Sequence, residues 1–104
     1  MELPNLSVIK EISENDMEFQ NSIIEILKTE FPQEVDLYKQ NFDSKNYLEA
    51  SNNVHKLKHK ISLLGLNNGL QTATAYELAL KNGNIELHND FIKILDKIHV
   101  YLYE

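Results

Sequence analysis

The apolar residues of this chain recur at intervals of three and four positions, which is the spacing of a helix that buries one face. No stretch alternates between apolar and polar residues as a half-buried strand does, so the pattern predicts an all-α protein. The most regular stripe, in residues 47–64, is the narrow seam typical of a helix packed in a bundle. Its members are Tyr47, Ala50, Val54, Leu57, Ile61 and Leu64.

A longer stripe precedes this seam and crosses Pro32 without losing its phase. Its members are Ile24, Leu27, Phe31, Val35, Tyr38 and Phe42. We therefore expect a kinked helix, or two nearly coaxial helices, rather than a domain boundary at the proline. Asn15 or Asp16 is expected to cap this helix at its N-terminus. A short helix, capped by Ser7 and ending at about Ile12, is expected before it.

Cap residues and glycines mark the other helices. The expected boundary residues are Asp43 or Ser44 and Gly65 for the third helix, Asn67 and Gly83 for the fourth, and Asn84 at the start of the fifth. The apolar sides are Leu66, Leu70, Ala73, Glu77 and Leu80 in the fourth helix, and Leu87, Phe91, Leu95, Ile98 and Leu102 in the fifth. Short connections favour antiparallel neighbours. Residues 1–104 are therefore predicted to form a single domain, an up-down-up-down antiparallel four-helix bundle with a short extra N-terminal helix.

Composition narrows the classes of function. The 104 residues carry a net charge of −6, every basic residue is a lysine, and there is no cysteine. The lack of cysteine excludes disulfides, thiolate metal sites and cysteine nucleophiles, and the lack of arginine argues against a nucleic-acid partner. No apolar run is long enough to span a membrane, and the N-terminus lacks the pattern of a secretory signal. We expect an acidic, soluble, cytoplasmic protein with no membrane partner.

The candidate chemistry lies in the third helix. At about 100° per residue, His55 lies about 100–120° from the centre of the apolar seam, which places it at the rim of the bundle. Lys58 and His59 follow three and four positions later and share its side of the helix. An ammonium group one turn away disfavours a proton on the imidazole, and it compensates negative charge once the ring carries a phosphoryl group. This arrangement suits a nucleophile that accepts phosphate reversibly.

The sequence around this histidine is His55-Lys56-Leu57-Lys58, and Gly65-Leu66 follows ten and eleven positions after the histidine. This pattern resembles the signature of histidine-containing phosphotransfer (HPt) domains. The likeness covers essentially the whole chain, since residues 12–24 resemble the family's short first helix and the opening of its second. Members of that family are four-helix bundles that relay a phosphoryl group between aspartates of response-regulator receiver domains.

The resemblance implies a role for each residue of the candidate site. His55 would be the phosphoacceptor and Lys58 the lysine near the phosphoryl group. Glu77 matches a position that orients the imidazole by hydrogen bonding, and Lys81 matches one that helps to hold the phosphate. Members of the family usually carry glycine four residues after the histidine, where this chain has His59. That second imidazole would crowd the site, contact the partner, or be phosphorylated in place of His55.

Three apolar residues near the short first helix exceed what that helix needs for its own packing. They are Ile9, Ile12 and Met17. The resemblance implies a docking patch beside His55, and the alternative is that these residues cap the end of the bundle.

The expected function is that of a phosphorelay intermediate, which accepts a phosphoryl group on His55 from one receiver aspartate and passes it to another. The expected partners are response-regulator receiver domains and a hybrid sensor histidine kinase, and the chain is expected to act as a monomer. It needs no cofactor of its own, because the receiver brings the divalent cation. The sequence has no glycine-rich nucleotide loop, so we expect a phosphocarrier and not an autonomous kinase.

Several alternatives stay open. The chain would be a non-catalytic helical module if it binds receiver domains while His55 stays idle. His55 and His59 would suit two ligands of a transition metal, but neighbouring lysines repel a cation, and no metal is expected. His88 and His99 are interpreted as structural or solvated. The alternating lysines are not expected to be a nucleic-acid surface, because Lys56 and Lys60 are expected to point away from the histidines and the rest of the protein is acidic.

Overall fold

Five helices form where the apolar stripes lie, and the computed structural model describes residues 2–103. Their bounds are α1 Ser7–Ser13, α2 Met17–Asp43, α3 Tyr47–Leu63, α4 Asn67–Lys81 and α5 His88–Tyr103. No strand occurs in that part of the chain, which confirms the all-α prediction for it.

The second helix is one uninterrupted helix of 27 residues that includes Pro32, so of the two alternatives at the proline the single helix is correct and the pair of coaxial helices is wrong. Of the two candidate caps, Asp16 is correct, because its side chain accepts the backbone N–H of Phe19 at 3.1 Å. At 1.5 Å per residue the helix is about 40 Å long. This length is close to the longest dimension of the protein, 43 Å, so α2 spans the molecule.

The core forms between the helices that follow one another in the chain. The third helix packs against both α2 and α4, α5 contacts α4 and α2, and α1 contacts α2. The predicted seam of α3 is confirmed, since its residues from Ala50 to Leu64 are fully buried. In α4 one assignment is wrong: Tyr76 is fully buried, whereas Glu77 lies at the edge of the core.

Two expected helix starts are wrong because other residues supply the cap or extend the preceding helix. Ser7 is the first residue of α1 and not its cap, since the side-chain oxygen Oδ1 of Asn5 accepts the Ser7 backbone N–H at 3.0 Å and its hydroxyl at 2.6 Å. Asp43 is the last residue of α2, and Ser44 closes that helix. The third helix therefore begins only at Tyr47.

The start of α4 is capped from a distant part of the chain. Asn67 is its first residue and makes no side-chain cap. Instead, the carboxylate of Glu2 accepts the backbone N–H groups of Asn68 at 2.9 Å and Gly69 at 3.0 Å. A negative charge at a helix N-terminus is stabilising. The cap therefore depends on the tertiary structure and not on a neighbouring residue.

The expected helix ends are confirmed at two glycines, whereas the start of α5 differs. Gly65 and Gly83 both have φ of 75°, the left-handed conformation that follows many helix C-termini. Asn84 accepts the backbone N–H of Glu86 at 2.9 Å in the turn before α5. The helix itself begins later, at His88, so Asn84 is not its cap.

Candidate functional site

His55 lies at the rim of the helical core with its ring accessible. Its side chain is 54% exposed, whereas its neighbours Val54 and Leu57 are fully buried. The structure therefore places the ring where the helical spacing predicted it, between the core and the open face of α3. Another protein can reach it.

Glu77 of α4 connects the predicted site residues. Its carboxylate lies 3.1 Å from Nδ1 of His55 through Oε2, and its Oε1 lies 3.0 Å from Nζ of Lys58. Nζ of Lys81, one turn further along α4, lies 3.8 Å from Oε2. A single carboxylate thus holds the imidazole and two ammonium groups of two helices together. All four residues were predicted from the sequence, and the structure brings them into one cluster.

The charge of Glu77 determines which nitrogen of His55 carries the proton. Partial burial acts to raise the pKa of Glu77, but hydrogen bonds from Lys58 and His55 outweigh it and hold the pKa below its ordinary value. Glu77 is therefore ionised near neutral pH and only accepts hydrogen bonds. Nδ1 of His55 must then be the donor, which leaves the lone pair of the neutral ring on Nε2.

Lys58 does not lie near His55 as the isolated ammonium group that the sequence predicted. The ammonium group approaches the imidazole together with the carboxylate of Glu77, to which it is bound at 3.0 Å. The side chain of Lys58 is only 20% exposed and that of Glu77 only 14% exposed. The ring of His55 therefore sits beside a bound ion pair and not beside an isolated positive charge.

His59 stands next to His55 on the open face of α3. The two ring centroids are 5.3 Å apart, and the ring planes are inclined by 63°. His59 is exposed, and within residues 2–103 its side chain has no hydrogen-bond or ion-pair partner. The second imidazole is thus a neighbour of the first, as its spacing predicted.

The three apolar residues expected at a docking patch do not share one environment. Ile9 is fully buried in the core, so its assignment to an exposed patch is wrong. Ile12 is 49% exposed and Met17 is 60% exposed. Phe19, which the sequence analysis did not single out, is also exposed. The burial of Ile9 follows from the packing of α1 on α2, which a short helix sequence does not specify.

His88 is structural, as one of the two interpretations held. Its Nδ1 lies 2.6 Å from the hydroxyl of Tyr38, which in turn lies 2.5 Å from the hydroxyl of Tyr76. Its ring stacks on Phe42 with centroids 3.7 Å apart. His99 is exposed and packs beside Tyr103.

Lys60 has a structural role that sequence reasoning missed. It points away from the histidines, as expected, but it is buried between α3 and α2. Its Nζ donates to Glu30 at 3.0 Å and to Glu34 at 2.9 Å. The spacing of lysines alone carries no signal for this pairing, because the two acidic partners belong to another helix.

The described residues form neither a metal site nor a membrane-spanning helix. Within residues 2–103, no group of three or more histidine, cysteine, aspartate or glutamate residues is arranged to hold a metal ion. In the same part of the chain, every helix is too short or too polar to cross a membrane.

Comparisons of the chain with protein-family models, with characterised proteins and with solved structures found no match.

Proposed function

We propose that this protein is a phosphorelay intermediate, in which His55 accepts a phosphoryl group from a receiver-domain aspartate and passes it to another. A hybrid sensor histidine kinase would supply the phosphoryl group, and the relay would operate in the cytoplasm. One observation carries the proposal: an exposed imidazole has its Nδ1 held by a carboxylate that also binds Lys58. This arrangement directs the lone pair of Nε2 away from the carboxylate.

The transfer step follows from that tautomer. The lone pair of Nε2 attacks the phosphorus atom of an aspartyl phosphate in line, so that an N–P bond forms. The bond between phosphorus and the carboxylate oxygen breaks, and the aspartate leaves with the electron pair. The proton on Nδ1 stays in place, so the ring of His55 becomes positively charged. Reversal of the step returns the phosphoryl group to a second aspartate.

The residues around His55 match the charges that this step creates. Glu77 accepts a hydrogen bond from Nδ1 and lies against the ring as it becomes positive, which stabilises the charged ring. Lys58 and Lys81 lie at the same carboxylate and supply positive charge for the phosphoryl oxygens. The divalent cation and the remaining stabilisation of the transition state would come from the receiver domain.

The proposal includes the finer architecture of an antiparallel four-helix bundle formed by α2 to α5, with α1 as an additional helix. Two contacts at different heights along α3 and α4 support it for this pair of helices. His55 bonds to Glu77, and Ile61 lies beside Gly69. Higher residue numbers in α3 thus meet lower numbers in α4.

The other two pairs of helices follow the same rule. Between α2 and α3, Asn41 bonds to Asn53 and Glu30 bonds to Lys60. Between α4 and α5, Tyr76 lies near His88, and Gly69 lies beside Ile94. In each pair, residue numbers rise along one helix as they fall along the other.

The test is phosphate mapping after incubation with receiver domains that carry a radiolabelled aspartyl phosphate, in the presence of Mg²⁺. We expect acid-labile, base-stable label on His55. The variant His55→Gln should lose the label completely, whereas His99→Gln, which changes an exposed histidine of α5, should retain it.

Two results would contradict this proposal. Label on His59 instead of His55 would contradict the assignment of the acceptor. Receiver domains that bind wild-type protein and His55→Gln equally, without transferring label to either, would favour the non-catalytic interaction module instead.

A further inference from the structure

His59 is the one imidazole beside His55 and is not used by the cluster around Glu77. Lys58 and Lys81 both lie against the Glu77 carboxylate, at 3.0 and 3.8 Å. To bind a phosphoryl group fully, either lysine must weaken that contact. His59 is exposed and has no such contact within the described residues, so its ring can bind a phosphoryl group without breaking a bond to Glu77.

The position of His59 is suited to a group attached to Nε2 of His55. The rings are 5.3 Å apart between centroids, and opposite charges interact strongly over about 4–6 Å. A phosphoryl group adds about 1.5–2 negative charges and three acceptor oxygens. An exposed side chain changes rotamer on the ps–ns timescale, so either ring nitrogen of His59 can turn towards those oxygens.

We propose that His59 is a phosphoryl-binding residue, which in its protonated form donates a charge-assisted hydrogen bond to the phosphoryl group on His55. This inference rests on the proposed function and adds a residue to its phosphoryl-binding site. Histidine is the side chain that changes its charge near neutral pH, whereas lysine does not. A protonated imidazole donates from both ring nitrogens and accepts from neither, so it is suited to bind phosphoryl oxygens.

Other charged groups flank His59 on both helices. On α3 they are Lys56, one turn before His59, and Lys58. On α4 they are Glu77, whose lowered pKa keeps it ionised, and Lys81. His55 itself carries the phosphoryl group in the state considered.

The test uses protein charged with phosphoramidate, a small phosphoryl donor that requires no partner, and follows the ³¹P resonance of the phosphohistidine against pH. A nearby positive charge favours the dianionic phosphoryl group. We expect its titration midpoint in wild-type protein to lie about 0.5 pH units or more below that in His59→Gln. His59→Lys, which keeps a permanent charge, should restore the lower midpoint.

Lys56→Gln is the matched control, because it removes a positive charge from an exposed position on the same helix and should move the midpoint less than His59→Gln does. Equal midpoints in wild type and His59→Gln, with phosphate on His55, would overturn the inference and leave the proposed function standing. Phosphate on His59, or none on His55 from phosphoramidate or any receiver, would overturn both.

Discussion

His55 and His88 both form hydrogen bonds through Nδ1, but their surroundings differ. The ring of His55 is exposed beside a charged group, whereas the ring of His88 is half-buried among neutral groups. Their partners on α4 are consecutive residues: Glu77 bonds to His55, and Tyr76 lies 3.5 Å from Nδ1 of His88. Consecutive residues of a helix point about 100° apart. One turn of α4 thus supports an exposed ring on one side and a buried hydrogen-bond cluster on the other.

The environments differ in charge. His55 contacts an ionised carboxylate and remains more than half exposed. His88 contacts the hydroxyl of Tyr38 and stacks on Phe42. Partial burial lowers the pKa of His88, and the negative charge of Asp43 opposes that effect only in part. The ring of His88 therefore stays neutral and acts as a packing and hydrogen-bonding group.

The hydroxyl groups of the two tyrosines near His88 also stay protonated and neutral. Burial and the hydrogen bond to Tyr76 raise the pKa of Tyr38 far above its ordinary value. Burial also raises the pKa of Tyr76, although its hydrogen bond to Tyr38 lowers it in part. A nucleophile needs access and a charged partner, whereas a core cluster needs satisfied neutral groups. His55 has the access and the charged partner of a nucleophile, whereas His88 has the neutral, hydrogen-bonded surroundings of a core cluster.

The largest effect on stability is expected from removal of the half-buried ring of His88. His88→Ala removes the stacking on Phe42 and one hydrogen bond of Tyr38, so the free energy of unfolding should fall by about 2–3 kcal/mol. His55→Ala should change it by no more than about 1 kcal/mol, because the exposed ring contributes little packing and solvent screens its bond to Glu77. Urea denaturation measures both values. Similar decreases in the free energy of unfolding for the two variants would contradict the distinction between a structural and an exposed histidine.

A smaller change in free energy, measured as a rate of phosphoryl transfer, is expected when the negative charge of Glu77 beside His55 is removed. Hydrogen bonds to charged groups contribute about 1.5–3 kcal/mol, against about 0.5–1.5 kcal/mol for neutral ones. Glu77→Gln keeps an acceptor but loses the charge, so phosphoryl transfer should slow by about 10-fold. Quenched-flow transfer from a phosphorylated receiver measures the rate. Glu86→Gln, an exposed change before α5, is the control, and an equal rate in both variants would remove Glu77 from the mechanism.

The smallest effect is the pH dependence of stability. The pKa of His88 is lowered from 6.5 in the folded protein, so the unfolded chain binds its proton first as the pH falls. The contribution of His88 is therefore complete above about pH 6.5 and is lost as the pH falls towards the folded-state pKa.

Two variants separate this contribution from that of Glu77. The pKa of Glu77 is lowered from 4.5, so its contribution is complete above that value and is lost only at lower pH. Unfolding measured in urea between about pH 7 and pH 5 should depend less on pH in His88→Gln than in wild type. If Glu77→Gln removed the dependence in that range instead, the assignment to His88 would be wrong.

Much of the fold follows from local patterns. The stripes in α2, α3 and α5 predicted the buried faces correctly, because each helix repeats its apolar residues in phase with its own turn. Gly65 and Gly83 marked helix ends because the left-handed conformation favours glycine. Helix starts were less predictable, since Asn5 and Glu2 supply the caps expected from Ser7 and Asn67.

The candidate site was partly predictable in the same way. The shared helix face of His55, Lys58 and His59 follows from intervals of three and four residues within one helix. The approach of Glu77 is different, because it lies 22 positions away and depends on how α4 packs against α3. For Ile9 the sequence left a docking patch and a cap on the end of the bundle open, because nothing local distinguishes a buried apolar residue of a short helix from an exposed one.

Periodicity within each helix specifies which residues share a face, because helical geometry relates residues only a few positions apart. It does not specify which face of a second helix lies opposite, since that depends on the packing of all side chains between them. Packing therefore decided that Tyr76 enters the core while Glu77 meets His55 at its edge. The accessible histidine comes from the sequence of α3, and the carboxylate that selects its reactive nitrogen comes from the tertiary structure.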